Sequence, residues 1–182
     1  MKIMKMAKRG SQKGATLLEA LAFLGIAAIV IVGAIAMFRS AQGSAQSNDM
    51  FQQLSGLRAN IKTLYSGQAS YGNSAAGTGA LNQSMINAKA IPDTLRVAGA
   101  VVNNAFSGAV TIDGNASDYF IRYTNVPQEV CVKVAPQTGG SWQGLTIGAN
   151  AEVATDAAVF PVATASTQCQ PGNTNTMTWR GR

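Results

Sequence analysis

Between Ala20 and Phe38 the chain runs for nineteen residues without a charge, and five cations (Lys2, Lys5, Lys8, Arg9 and Lys13) crowd the first thirteen positions. As a helix the uncharged run rises about 28 Å, close to one hydrocarbon thickness of a bilayer. The cations stop at Gly14, so the positive-inside rule predicts a cytoplasmic N-terminus and places everything after Arg39 outside. A secretory signal also begins with charge, but its apolar core spans about 7 to 15 residues and ends at a small-x-small cleavage site. This run is longer. Glu19 discriminates further, because a carboxylate at the head of an apolar helix is costly in lipid unless something pairs with it. Cleavage after Gly14 would free the amine of Ala15 one helical turn away, on the same chain or on a neighbouring copy.

Gly14, the run Ala15-Thr16-Leu17-Leu18 and Glu19, set between a basic leader and a spanning helix, resemble the class III signal of type IV pilins. In that family a prepilin peptidase cuts after the glycine and methylates the new N-terminus. A first mature residue other than Phe, the Thr-Leu-Leu-Glu run, and Gly25 and Gly33 within the helix are similar to the type IVb branch. That branch includes enteric toxin-coregulated and bundle-forming pilins and the thin-pilus pilins of conjugative plasmids. The resemblance implies an α+β pilin fold: a long N-terminal helix packed on an antiparallel sheet, with a disulfide-bounded C-terminal region. It divides the chain into a cleaved leader (1–14), a membrane and fibre-core half of the helix (15–40), an amphipathic half (41–66) and a globular head (67–182) that contains the bounded region 131–169. It also implies a subunit held in the inner membrane and then polymerised into an extracellular filament, for attachment, cell aggregation or conjugative contact. The partners are other copies of the chain, the peptidase, the membrane and the assembly machinery. Two alternatives stand beside it: a minor pilin or type II secretion pseudopilin, and a membrane-anchored periplasmic binding domain.

The net charge of +6 invites a nucleic-acid reading. Five of the fourteen Lys and Arg lie in the leader, however, which leaves nine cations against eight acids and no basic stripe interleaved with aromatics. The basicity addresses the membrane. Cys131 and Cys169 lie beyond the spanning run, where an oxidising compartment permits one bridge; buried free thiols are the alternative. Closing a loop of that length is worth roughly 4 kcal/mol on the chain-entropy model. The resemblance again points to the bridge.

Residues 15 to about 66 contain no proline. Apolar positions continue at Met50, Leu54, Leu57, Ile61 and Leu64, with Gln52, Gln53, Arg58 and Lys62 off the stripe, so one long helix is predicted whose second half packs on a sheet. Gly25, Gly33, Gly43 and Gly56 each cost about 1 kcal/mol relative to Ala and predict local bending or opening. Ala22, Gly25, Ala28, Gly33 and Ala36 are small enough for close helix packing. A loop is expected from Ser66 to Ala80, then a short helix within 81–90 ended by Pro92. Leu64-Tyr65-Ser66-Gly67 and Asn104-Ala105-Phe106 sit where type IVb pilins carry a Tyr-x-Gly turn and an Asn-Pro-Phe-like segment, with the proline absent. Strands begin near Val97. The central pair is read as 109–112 and 118–124, joined by the turn Asp113-Gly114-Asn115-Ala116-Ser117. After Pro127 the residues fit a helix start, while Val130 to Val134 also fit a strand; the resemblance favours a helix carrying Cys131. Short apolar pieces at 145–147 and 159–162 alternate with loops up to Cys169, and Met177-Thr178-Trp179 reads as a final strand.

The chain has no histidine, which removes Ser-His-Asp and Cys-His activation and His-based zinc sites. No phosphate-binding Gly-x-x-x-x-Gly-Lys occurs. Asp113-x-Asn115-x-Ser117 imitates the opening of a calcium loop, but Asp118 replaces its glycine and Thr124 stands where a bidentate Glu belongs. No catalytic residue, cofactor or metal is expected. The leader reading makes a direct prediction: the intact mass of protein purified from its host membrane corresponds to a chain starting at Ala15. A start at Met1, or near Ser44 after Ala41-Gln42-Gly43, contradicts it.

Overall fold

The computed structural model describes residues 16–156 and 159–182. The chain divides into two compact units, Met1–Ser40 and Ala41–Arg182. Helix α1 (Leu17–Leu64) begins in the first and continues in the second. It runs through Gly25, Gly33, Gly43 and Gly56 without a break. Of the last two glycines, Gly43 is the closely packed one. A Cβ at Gly43 would overlap the Glu129 carboxylate, and one at Gly56 would lie 3.5 Å from Pro92 Cγ.

In the second unit α1 is followed by α2 (Asn82–Asn87), β1 (Arg96–Ala98), β2 (Val101–Asn103), β3 (Ala109–Asn115), β4 (Asp118–Val126), α3 (Gln128–Gln137), β5 (Gly144–Ile147), β6 (Val153–Ala154), α4 (Val162–Gln168) and β7 (Asn175–Gly181). The strands form one antiparallel sheet in the order β1-β2-β3-β4-β7-β5-β6. Alternation in β4 places Tyr119, Ile121 and Tyr123 on the buried face and Phe120, Arg122 and Thr124 on the other, as the period-two pattern predicts. Across the sheet the register aligns Ile112, Ile121, Trp179 and Leu145 in one buried row, and Val110, Tyr123, Met177 and Ile147 in the next.

The α1 residues that share this core are Met50, Leu54, Leu57 and Ile61, and the buried stripe extends back through Ser47 to Gly43. Gln53 departs from the expectation that it lies off the stripe. It is buried, and its Oε1 accepts a hydrogen bond of 3.3 Å from the Tyr123 hydroxyl, which has no water to turn to and whose own ionisation is pushed up by burial. All four tyrosines and both tryptophans join a continuous aromatic run, Tyr65–Tyr71–Tyr119–Trp142–Trp179–Tyr123, with ring centroids 5.1 to 6.5 Å apart. The Arg58 guanidinium lies 5.6 Å from the centre of the Trp142 ring, closing the helix–sheet seam from the α1 side.

Two further readings are corrected. The β3–β4 turn is two residues, Ala116 and Ser117, because Asn115 already pairs with Asp118, and Ala116 supplies the positive φ of 50°. Asp113 and Gly114 belong to the strand. Their turn-like composition reflects the 71–80 segment packed against them: Asp113 is buried, and its carboxylate accepts from Gly77 N–H at 2.7 Å, Ala80 N–H at 3.0 Å and the Thr78 hydroxyl, while a Cβ at Gly114 would overlap the Tyr71 backbone. The second correction concerns 162–168, read as part of the loops leading to Cys169, which forms α4. The final strand read at Met177-Thr178-Trp179 forms as β7 and enters the sheet between β4 and β5.

Candidate assembly site

In the first unit the described part of α1 has the most apolar 18-residue window of the chain, with mean hydropathy 2.8 and no residue buried. Thirteen large apolar side chains from Leu17 to Phe38 are exposed, several to more than 70% of their surface, and they cover all sides of the helix. Glu19 is the one charge among residues 16–38, and it is exposed. Thr16 stands just ahead of the helix. Its carbonyl accepts from Ala20 N–H at 3.0 Å, and its hydroxyl oxygen accepts from Glu19 N–H at 3.3 Å. Thr16 therefore caps the helix, with Glu19 at the third helical position, where the positive end of the dipole favours a carboxylate. The sequence carried this signal as Thr-x-x-Glu, half of a capping box, and the pilin-like reading of the same four residues passed over it. Gly14 and Ala15, the residues of the expected cleavage, lie outside the described residues.

The two cysteines are joined. Cys131 on α3 and Cys169 after α4 lie 6.0 Å apart at Cα, closing 38 residues of sequence. Side chains hold both ends of that loop. Gln128 Nε2 donates to the Cys169 carbonyl at 3.0 Å, and the buried Asn175 donates to the carbonyls of Val126 and Gln170 while accepting from Gln170 N–H. The bridge thus pins α4 to α3, and Asn175 pins the return of the chain into β7. At its other face α3 rests on α1: Lys133 Nζ lies 3.1 Å from the Ser44 hydroxyl and 2.7 Å from Glu129. The short helix α3, which the residues left open between helix and strand, is the part that links α1, the disulfide and β7.

Other chemistry is sparse. Among the described residues no three Asp, Glu, Cys or His side chains gather as a metal would require. Asp113 is saturated by donors of the 77–80 segment and holds no free face for a cation. A shallow groove of about 280 Å³ lies between α1 and Trp142, floored by Phe51, Leu54 and Trp142 and rimmed by Arg58 and Lys62. Tyr119 is buried nearby, and desolvation pushes its hydroxyl up to about 12 against the opposing pull of Arg58. A phenol that stays protonated throughout the physiological range, beside a guanidinium stacked on an indole, offers neither base nor nucleophile.

Comparison with known proteins agrees with this geometry. The family model described as "PilS N terminal" matches residues 44–181. The major structural subunits of the bundle-forming pilus from Escherichia coli O111:H- and from Escherichia coli O127:H6 are each 26% identical over 156 residues, 82% of this chain and 78% of theirs. The crystal structure of a type IVb pilin from Salmonella typhi superposes with a TM-score of 0.57 at 22% identity, covering 71% of this chain and 95% of that one. TcpA, a type IV pilin from Vibrio cholerae El Tor, does so with a TM-score of 0.55 at 10% identity, covering 76% and 99%.

Removing a native disulfide from a small domain costs about 2 to 5 kcal/mol. Cys169→Ser is therefore expected to lower the steady-state amount of the protein severalfold, while the small amount that remains folded keeps α1 docked on the sheet. The check is immunoblotting of total protein beside thiol labelling of the wild type; full abundance of the variant, or two reactive thiols in the wild type, contradicts it.

Proposed function

The chain belongs to the PilS N-terminal family, and from that membership we propose that it is the structural subunit of a type IVb pilus. The fold is the α+β pilin fold, with the long helix, the antiparallel sheet and the C-terminal disulfide in place. The observation that carries the reading is the first half of α1. Burying thirteen large apolar side chains is worth roughly 20 to 40 kcal/mol, and the chain itself buries none of them. A structural subunit meets that demand twice, in lipid before assembly and among sibling helices in a filament. Gly25 and Gly33, where an added Cβ would touch nothing within the chain, leave room for close approach of another helix.

The finer steps follow from charge. The basic leader remains in the cytoplasm, the second unit lies outside, and a prepilin peptidase cuts between Gly14 and Ala15. The new amine of Ala15 faces Glu19 of an adjacent copy. In a fibre core without water, a slip of a few ångströms would leave two unpaired charges at a cost of several kcal/mol, so the pair sets the axial register more than it adds stability. The positive end of the helix dipole, at whose first turn Glu19 stands, favours the carboxylate in the membrane-held precursor as well. Extraction from the inner membrane by an assembly machinery, and a role of the finished filament in attachment, aggregation or conjugative contact, complete the proposal. The role is structural and not enzymatic.

On this account Glu19→Val protein is still cleaved and still accumulates in the inner membrane, since Val suits lipid better, yet yields few or no filaments; Glu19→Gln behaves alike. Mass of the membrane-held subunit and yield of sheared fibres read the two outcomes separately. Wild-type fibre yield from Glu19→Val would refute the register role.

A further inference from the structure

The groove between α1 and Trp142 is built from two stretches of chain that carry no acid. Residues 50–92 and 130–151 contain neither Asp nor Glu, yet Arg58 and Lys62, one turn apart on α1, both stand on its rim. Like charges at that spacing repel. Neither has a carboxylate partner among the described residues, whereas Lys133, Arg180 and Arg182 each do. Asp49, the nearest acid in sequence, lies nine positions before Arg58, half a turn round the helix. The Ser55 and Ser141 hydroxyls line the same groove and make no hydrogen bond among the described residues either. Its floor of Phe51, Leu54 and Trp142 is apolar, with Ala59 beside it. At about 280 Å³ it falls just below the roughly 300 to 1,000 Å³ of sites that take a drug-sized ligand, which leaves room for a single ring.

We propose that this groove binds one acidic sugar, a pyranose ring that carries a carboxylate. Arg58 and Lys62 take the carboxylate through charge-assisted hydrogen bonds, Ser55 and Ser141 take ring hydroxyls, and the apolar floor takes the C–H face of the ring. A hydrocarbon acid would leave the two serine hydroxyls unspent, and a neutral sugar would leave the two cations so. All these residues belong to the second unit, so binding does not depend on assembly. In a filament the same groove repeats on every copy, and weak single sites add up on a surface rich in such sugars. Only that last step rests on the pilus reading above.

The experiment measures the Kd of galacturonic acid, beside galactose and galactose 6-phosphate, by ligand-observed NMR on the full subunit held in detergent. Galacturonic acid is expected to bind about tenfold or more tightly than galactose, and more tightly than the phosphate. Lys62→Glu is expected to weaken it by about tenfold or more. Ala59→Trp fills the groove without changing charge and is expected to abolish binding. Lys89→Glu makes the same change of charge against the opposite flank of α1, beside Asn60 and Thr63, and is expected to leave the Kd as it is. All three substituted residues are exposed, so the fold tolerates the changes. No binding by the wild type, equal affinity for galactose, or tighter binding of the phosphate overturns the proposal. So does retention by Ala59→Trp, or a loss in Lys89→Glu as large as in Lys62→Glu. Absence of fibres from the wild type would instead count against the pilus reading, with the measured Kd unaffected.

Discussion

Water cannot cover the first half of α1. Along the second half, the stripe from Gly43 through Ile61 is buried against the rest of its own unit, and Arg58 beside it stacks on a core aromatic. Along the first half the apolar surface goes all the way round, and nothing in the described chain covers it. The apolar term there is roughly ten times the few kcal/mol that one carboxylate costs in lipid, so Glu19 does not prevent insertion. We propose that the carboxylate instead chooses among the apolar environments open to the helix, since it is best satisfied where a cation lies at the same depth.

This division of labour sets what the second unit must do. It has to fold around half of a helix whose other half is committed elsewhere, so its core is anchored by large rigid groups: the aromatic run from Tyr65 to Tyr123, the Trp179 indole N–H donating to the Thr138 hydroxyl at 3.0 Å, and the Gln53–Tyr123 pair. β4 lies at the centre of the sheet with β7, the last strand in sequence, beside it. The C-terminal residues are therefore structural, and the disulfide and Asn175 hold the intervening chain so that β7 can return to the middle. The edges of the sheet are left to the short strands β1 and β6.

Much of this was legible in the sequence because it depends on local periodicity. The uncharged run, the three-and-four spacing of Met50, Leu54, Leu57 and Ile61, and the alternation of β4 each reflect one element's own geometry. So does the family resemblance at Gly14 to Glu19, which the matching of residues 44–181 supports from a different part of the chain. What failed depends on contacts between distant segments. Asp113-Gly114 looks like a turn because Asp and Gly are turn formers, but the first is needed to take three donors from 77–80 and the second to admit Tyr71. Gln53 is buried because a tyrosine seventy residues later requires an acceptor. No period announces that a C-terminal strand will be inserted between β4 and β5. Thr16 was missed for another reason: a capping residue and a processing motif occupied the same four positions, and the second reading hid the first.

We propose that the first half of α1 finds its final environment among copies of itself, with Glu19 fixing their relative position. A helical reconstruction of the wild-type fibre at side-chain resolution tests this most directly. The account predicts that residues 17–38 form the dry core of the fibre and that each Glu19 carboxylate lies within about 4 Å of the Ala15 amine of an adjacent copy. A fibre in which these helices face solvent, or in which Glu19 pairs only within its own chain, would contradict it.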